Sequence, residues 1–165
     1  MVQRRYNRQV IVDDHLIYLM QPSPEYDETA WPPSSEPQLV VFTPGQLVIL
    51  TGISYGPVEI EVAVFDDEPP LNLSDWQDIW EGDLISDGSL RVCSGMSGYN
   101  LIPGDDRELT PNGPSLDRVR VFATGRNTMY DMPLLDGAPV ERYLLEIWPA
   151  PGASEFVTYR HHSGV

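Results

Sequence analysis

The sequence predicts an all-β protein: a single antiparallel β-sandwich of jelly-roll or Greek-key type, with about 8–10 strands and one short helix. Three observations predict it. Sixteen of the 165 residues are proline, a residue that terminates helices and is confined to turns and strand edges. Residues 58–65 alternate with period two, Val58, Ile60, Val62 and Val64 on one face and Glu59, Glu61 and Ala63 on the other, as a half-buried strand requires. Short apolar runs separated by Pro and Gly turns continue along the chain without a repeat period, the pattern of packed sheets.

Taken in order, residues 9–13 and 15–20 are two apolar runs split by Asp13-Asp14, readable as two strands or as one with a bulge. Residues 21–37 hold Pro22, Pro24, Pro32, Pro33 and Pro37 among Ser, Glu and Asp and read as an extended loop, with Trp31 inside it. Residues 39–42 and 46–51 flank the turn signal Thr43-Pro44-Gly45 and form a hairpin. After the strand at 58–65, the one helical pattern is 73–82, with Ser74 as N-cap and Trp76, Ile79 and Trp80 at helical spacing. Residues 83–86 and 89–93 surround Asp87-Gly88, and 99–102 is a further short run. Within 116–124, Leu116, Arg118, Arg120 and Phe122 alternate with Asp117, Val119, Val121 and Ala123. Within 140–149, Tyr143, Leu145 and Ile147 alternate with Leu144, Glu146 and Trp148, and 155–160 closes the set. Residues 1–165 are expected to form one domain, with the Pro-rich loop at 21–37 as an excursion.

Charge narrows the function. The formal net charge is −15, from 25 Asp and Glu against 10 cations, all of them Arg. Between Gln9 and Leu90 there is no cation at all, while 16 of the 25 acids lie there. A negative face repels nucleic acid and anionic lipid and speeds association with a basic partner. Direct nucleic-acid binding is excluded on this reading, since phosphate contacts need clustered cations. No apolar run approaches the ~18 residues that span a bilayer, and Met1-Val2-Gln3-Arg4-Arg5-Tyr6 lacks the apolar core of a secretion signal. No membrane partner and a cytoplasmic location are expected. Cys93 is the single cysteine, so no internal disulfide forms.

Three stretches carry a resemblance. They are Leu50-Thr51-Gly52-Ile53 and Gly56-Pro57-Val58 leading into the alternating strand and Pro69-Pro70; then Asp75-Trp76-Gln77-Asp78 with Asp87-Gly88; then Asp117-Arg118-Val119-Arg120-Val121, Gly125-Arg126-Asn127 and Tyr143 to Trp148-Pro149. Together they resemble an uncharacterised set of actinobacterial β-sandwich proteins over about two-thirds of the chain. The order of strand, Pro-Pro, Asp-Trp, Gly-strand and closing Trp-Pro strand is also similar to competence protein J, a nuclease inhibitor family. The resemblance implies a β fold and, through the second likeness, an inhibitory role; none of its motifs is a catalytic signature.

The densest candidate site is Asp66, Asp67, Glu68, Asp75, Trp76, Asp78 and Trp80, continued by Glu81 and Asp83. Tryptophan is enriched at binding hot spots, and flanking carboxylates pair with Arg or Lys of a partner. The plainer reading has the tryptophans capping the core and the acids in solvent. Clustered acids also suit calcium, but no EF-hand spacing is present. His15, His161, His162 and Cys93 show no paired zinc-ligand spacing. No metal or other cofactor is expected. Gly95-Met96-Ser97-Gly98-Tyr99 departs from a nucleophile elbow at Tyr99, and no nucleophile, base and orienting group can be named together. No catalytic residue is expected. Trp31, Trp76, Trp80 and Trp148 leave open a carbohydrate- or small-ligand-binding jelly roll, and a hydrolase is a third reading. The sequence therefore points to a non-catalytic acidic binding protein, of inhibitor or immunity type, for a basic protein such as a nuclease or toxin.

Overall fold

The computed structural model describes residues 1–21, 38–43, 45–94, 100–105, 107–110 and 113–165. Ten strands run through them: β1 (Val2–Asp13), β2 (Leu16–Met20), β3 (Val40–Thr43), β4 (Gln46–Leu50), β5 (Tyr55–Phe65), β6 (Asp78–Ser86), β7 (Arg91–Ser94), β8 (Ser115–Thr124), β9 (Arg142–Pro149) and β10 (Val157–His161). Apart from Gln21, the Pro-rich stretch 21–37 lies outside the described residues, as do Trp31 and residues 95–99.

The strands hydrogen-bond into one sheet, in the order β10-β6-β8-β9-β5-β1-β2-β4-β3, with β7 paired to β2. Every pairing is antiparallel except β5 with β9. The expected two-sheet jelly-roll sandwich is thus replaced by a single curled sheet, a half-barrel. The physical reason is the β1–β2 turn, whose Asp13↔Leu16 pair joins the β10-β6-β8-β9-β5-β1 run to the β2-β4-β3 run. β1 spans 12 residues and pairs with β5 from Val2↔Phe65 to Asp13↔Tyr55. Its first half, Gln3-Arg4-Arg5-Tyr6-Asn7-Arg8, is polar and mostly exposed and carries no alternation to betray a strand.

Asp14 and His15 have φ of 53° and 65°, and Asp13 pairs with Leu16. That is a two-residue hairpin turn with both central residues left-handed, a geometry that Asp tolerates. It makes β1 and β2 two strands rather than one bulged strand. The helix expected at 73–82 does not form, and no helix occurs among the described residues. Asn72 Oδ1 accepts from the Ser74 amide at 2.9 Å, and Asp75 takes φ 67°, outside the right-handed helical region. From Asp78 onward the chain alternates with period two: Trp80 and Leu84 join the core, while Glu81 and Asp83 take the convex face opposite Arg120 and Arg118.

The concave face holds the main core, with Val58, Ile60, Val62 and Val64 of β5, Val119, Val121 and Ala123 of β8, and Tyr143, Leu145 and Ile147 of β9. A smaller cluster, Tyr18, Val41, Val48 and Cys93, lies on the other side of β2, β3, β4 and β7. Burial pushes the Cys93 thiol up to about 11, against a smaller downward pull from Arg91; it is an inert core thiol at neutral pH.

Curling brings the sheet's two edges together. Phe156, just before β10, packs edge-on against Phe42 of β3 at 5.4 Å and against Trp80 of β6 at 5.3 Å. A Cβ on Gly82 would lie 2.9 Å from the Phe42 ring, so only glycine lets the edges approach this closely. At the opposite end Arg126 ties the same edges with charge-assisted bonds. Its Nε donates to Leu50 O at 3.1 Å, Nη2 to Gln38 O at 2.9 Å and Nη1 to Asp78 Oδ2 at 2.9 Å, and Nη1 also reaches Val165 O. Asp78 is fully buried and accepts in addition from the Ser163 amide at 3.0 Å and hydroxyl at 2.6 Å.

Removing one partner of a buried ion pair strands the other charge, at about 3–5 kcal/mol. Arg126→Met is therefore expected to lower the unfolding free energy by about that amount in urea melts, and Arg126→Met with Asp78→Asn to recover roughly half of the loss. A single variant that melts at the wild-type denaturant concentration would remove Arg126 as the clamp.

Candidate functional site

Residues 66–77 leave the end of β5 and cross the convex face to the start of β6. Arginines pin this strap from below: Arg120 Nη1 donates to Pro69 O at 3.2 Å, and Arg160 Nη1 to Leu73 O at 2.6 Å and Trp76 O at 3.0 Å. The Asp66 amide donates to Met1 O at 3.2 Å, and the Gln77 amide to Ala123 O at 3.0 Å. With its backbone held down, the strap turns Asp66, Asp67, Glu68 and Asp75 into solvent beside the exposed Leu71 and Leu73. Trp76 is half-buried, its ring 5.5 Å from Phe122 and 4.6 Å beneath the Arg142 guanidinium.

The structure thus divides the acidic segment that the sequence treats as one patch. Asp78 and Trp80 turn inward, Asp78 to Arg126 and Trp80 to Phe156 and His161, so neither is presented at the surface. Glu81 accepts from Arg118 Nε and Arg120 Nε, each at 2.7 Å, and Asp83 from Arg118 Nη1 at 2.9 Å and the Ser154 amide at 2.7 Å. Arg120 also reaches Glu146 at 3.0 Å and Glu68 at 3.3 Å. The Glu68 side chain is still 66% exposed, which keeps it on the solvent side with Asp66, Asp67 and Asp75. The cause is register. The cation-free β6 lies directly against β8, which sets Arg120 opposite Glu81 and Arg118 opposite Asp83. The signal was present in the alternation of Arg118 and Arg120 on one face of a strand; what one strand does not reveal is its neighbour.

A second surface was not legible. The β1–β2 turn, residues 51–55 and the irregular connection before β9 are tied together by Ser54 N to Met132 O at 3.0 Å, Asp131 N to Gly52 O at 2.8 Å and Leu134 N to Tyr55 O at 2.8 Å. His15 Nε2 lies 3.1 Å from Asp131 Oδ1. Tyr55, Tyr130, Met132 and Leu135 are exposed around these links.

At the other end, the mouth of the half-barrel opens into a cavity of about 250 Å³. Val64, Phe65, Leu109, Ile147 and Pro149 contribute its apolar lining, and Gln3, Arg4, Asp66, Thr110, Ser115 and Asp117 its polar groups. Asp117 has the same parity on β8 as the core residues Val119 and Val121 and so faces the concave side. It is only 3% exposed. Burial lifts its carboxyl to about 6, only partly offset by the hydrogen bond from Ser115. Arg4 lines the same cavity, but its Nη1 donates to Glu108 O and Leu109 O, each at 3.2 Å. Elsewhere Glu141 is equally buried, yet it accepts from the Ile53 amide at 2.6 Å, the Gly52 amide at 3.2 Å and the Tyr143 hydroxyl. Burial raises its pKa too, with those donors and Arg126 pulling it back.

Among the described residues, no three His, Cys, Asp or Glu side chains gather as a metal-ion site, and no helix is long and apolar enough to cross a membrane. Trp148 is buried beneath Arg120, whose guanidinium lies 4.8 Å from its ring. It therefore presents no face on which a sugar would stack.

No protein-family model matches the chain, and no curated protein matches it. Among solved structures, two share its fold. One is "Crocagin biosynthetic gene J", 12% identical with a TM-score of 0.53, covering 89% of this chain and 99% of that one. The other is ComJ from Bacillus subtilis, an inhibitor of the DNA degrading activity of NucA. It is 8% identical with a TM-score of 0.55, over 91% of this chain and 99% of that one. At these identities the likeness is one of fold.

Asp117 also sets a pH dependence. Its folded-state value is raised above the ordinary 3.8 to about 6. The folded form therefore favours the proton, and the stability this gives is complete below pH ~4 and lost as pH rises through ~6. At 1.4 kcal/mol per pH unit the swing is on the order of 3 kcal/mol. Urea melts are expected to show Asp117→Asn more stable than wild type at pH 7.5, the advantage shrinking toward pH 4. Parallel stability–pH curves for the two proteins would contradict it.

Proposed function

We propose that the chain is a non-catalytic acidic binding protein of inhibitor or immunity type, acting in the cytoplasm on a basic protein such as a nuclease or toxin. The observation that carries this reading is the strap. Asp66, Asp67, Glu68 and Asp75 stay in solvent on a backbone pinned by Arg120 and Arg160, with Leu71 and Leu73 exposed between them. A rigid strip of that kind meets a partner without losing much conformational freedom. Its carboxylates would pair with partner arginines or lysines where a nuclease holds substrate phosphates. The fold shared with ComJ, itself an inhibitor of a DNA-degrading activity, supports the same reading. Trp76, half-buried at the strap's end, and the two leucines replace Trp80 as the apolar contacts.

Asp66→Asn, Asp67→Asn, Glu68→Gln and Asp75→Asn together are expected to slow association with a basic nuclease by about tenfold at low salt and to flatten the salt dependence of the rate. Stopped-flow binding and DNA-degradation assays read this out, with Asp136→Asn as an exposed-acid control away from the strap. Nucleases left active by excess protein, or a quadruple variant that binds like wild type, would sink the proposal.

A further inference from the structure

We propose that the cavity at the mouth of the half-barrel is a binding site for a small organic cation, an alkylammonium or alkylguanidinium group on a short apolar stem. The argument starts from how this chain treats its other buried acids. Asp78 meets Arg126, Glu81 meets Arg118 and Arg120, Glu146 meets Arg120, and Glu141 takes two backbone amides and a phenol. Asp117 is the exception. It is 3% exposed, and its hydrogen-bond donor among the described residues is the Ser115 hydroxyl, 3.3 Å from each carboxylate oxygen. No cation stands within 4.0 Å of it among the described residues.

A buried carboxylate with so little compensation is costly, and here it borders an open space rather than packed side chains. That space has room for a small molecule and a lining in which Val64, Leu109 and Ile147 would cover an apolar stem. The Ser115 hydroxyl at the carboxylate and the Thr110 hydroxyl elsewhere in the lining, itself 3.0 Å from Ser86 Oγ, offer further acceptor lone pairs to the three donors of an ammonium group. Asp66, also part of the lining, adds a second negative charge. Arg4 is the one cation of the lining among the described residues, and its Nη1 donates to the carbonyls of Glu108 and Leu109. The balance of charge at the cavity therefore favours a cation over an anion.

The test uses the full chain with n-butylamine and agmatine as probes, n-butanol and butyrate as controls, and calorimetry with amide chemical-shift mapping as readouts. The amines are expected to bind, to shift the amides of Thr110, Ser115 and Asp117, and to weaken by tenfold or more in Asp117→Asn and by a few-fold in Ser115→Ala. The strap variant, whose Asp66→Asn change touches the rim, is replaced here by Asp67→Asn with Asp75→Asn. That pair is expected to keep amine affinity, so failure of the strap reading and failure of this one are distinguishable. Nα-acetyl-lysine amide separates the sources: binding equal to butylamine supports a protein side chain as the occupant, and binding of the free amines alone supports a small metabolite. Butanol binding as tightly as butylamine, shifts that map away from β8, or an unchanged affinity in both Asp117→Asn and Ser115→Ala would overturn the site.

Discussion

Arg126 is the constraint on which the curl of the sheet depends. A single sheet of ten strands does not have to close on itself; its concave core would be open along one side unless something held β6 near β3 and β4. Arg126 does this by accepting no compromise in its own valence. It is buried, and its donors go to Leu50, Gln38, Asp78 and the C-terminal residues, so an opening of the edges would leave a guanidinium without partners. Gly52 belongs to the same device, since a Cβ there would meet Arg126 O at 1.9 Å. The edge-on contact of Phe156 with Phe42 and Trp80 closes the seam further along, but it tolerates a broader range of geometries than the guanidinium fork, which fixes both distance and orientation.

The second set of arginines does something different. Arg118 and Arg120 lie under the strap and under residues 154–155, to which Arg118 donates. Buried ion pairs of this kind contribute little net stability compared with apolar packing, because desolvation offsets attraction. Their consequence is positional: they determine which connections lie on the convex face and in what orientation. The strap's carbonyls at Pro69 and Leu73 accept from Arg120 and Arg160, and of its carboxylates Glu68 reaches back to Arg120 while Asp67 and Asp75 are left in solvent. The exposed acids are therefore a product of the buried cations.

What the sequence made legible follows from the range of the interactions involved. The alternation of β5, β8 and β9 depends on each strand's own residues, and all three form where period two predicts them. The curled sheet was not legible, because it depends on the β1–β2 turn joining two runs of strands, and β1 itself reaches along β5 through a polar half that has no amphipathic pattern. The helix expected at 73–82 was a case of two periods competing over few residues: Trp76, Ile79 and Trp80 fit a helical face, while Trp80 and Leu84 fit a strand, and pairing with β8 along nine positions decided it. The candidate site was half legible. The acids are where the sequence puts them, but whether a carboxylate is free depends on which arginine lies across the ladder, and that is information about register.

That dependence changes what the net charge of −15 means. Arg118, Arg120 and Arg126 are matched inside the protein by Asp78, Glu81, Asp83 and Glu146, a set that cancels to within one charge. Folding therefore withdraws three of the ten cations from the surface together with one acid more than is needed to neutralise them, and the outside stays almost as negative as the whole chain. A field of that sign draws basic partners from any direction, but it does not choose among them. Choice requires fixed geometry at short range, and the strap has it because its backbone is held by hydrogen bonds from two different strands, β8 and β10. Long-range attraction thus belongs to the composition, whereas discrimination belongs to the fold.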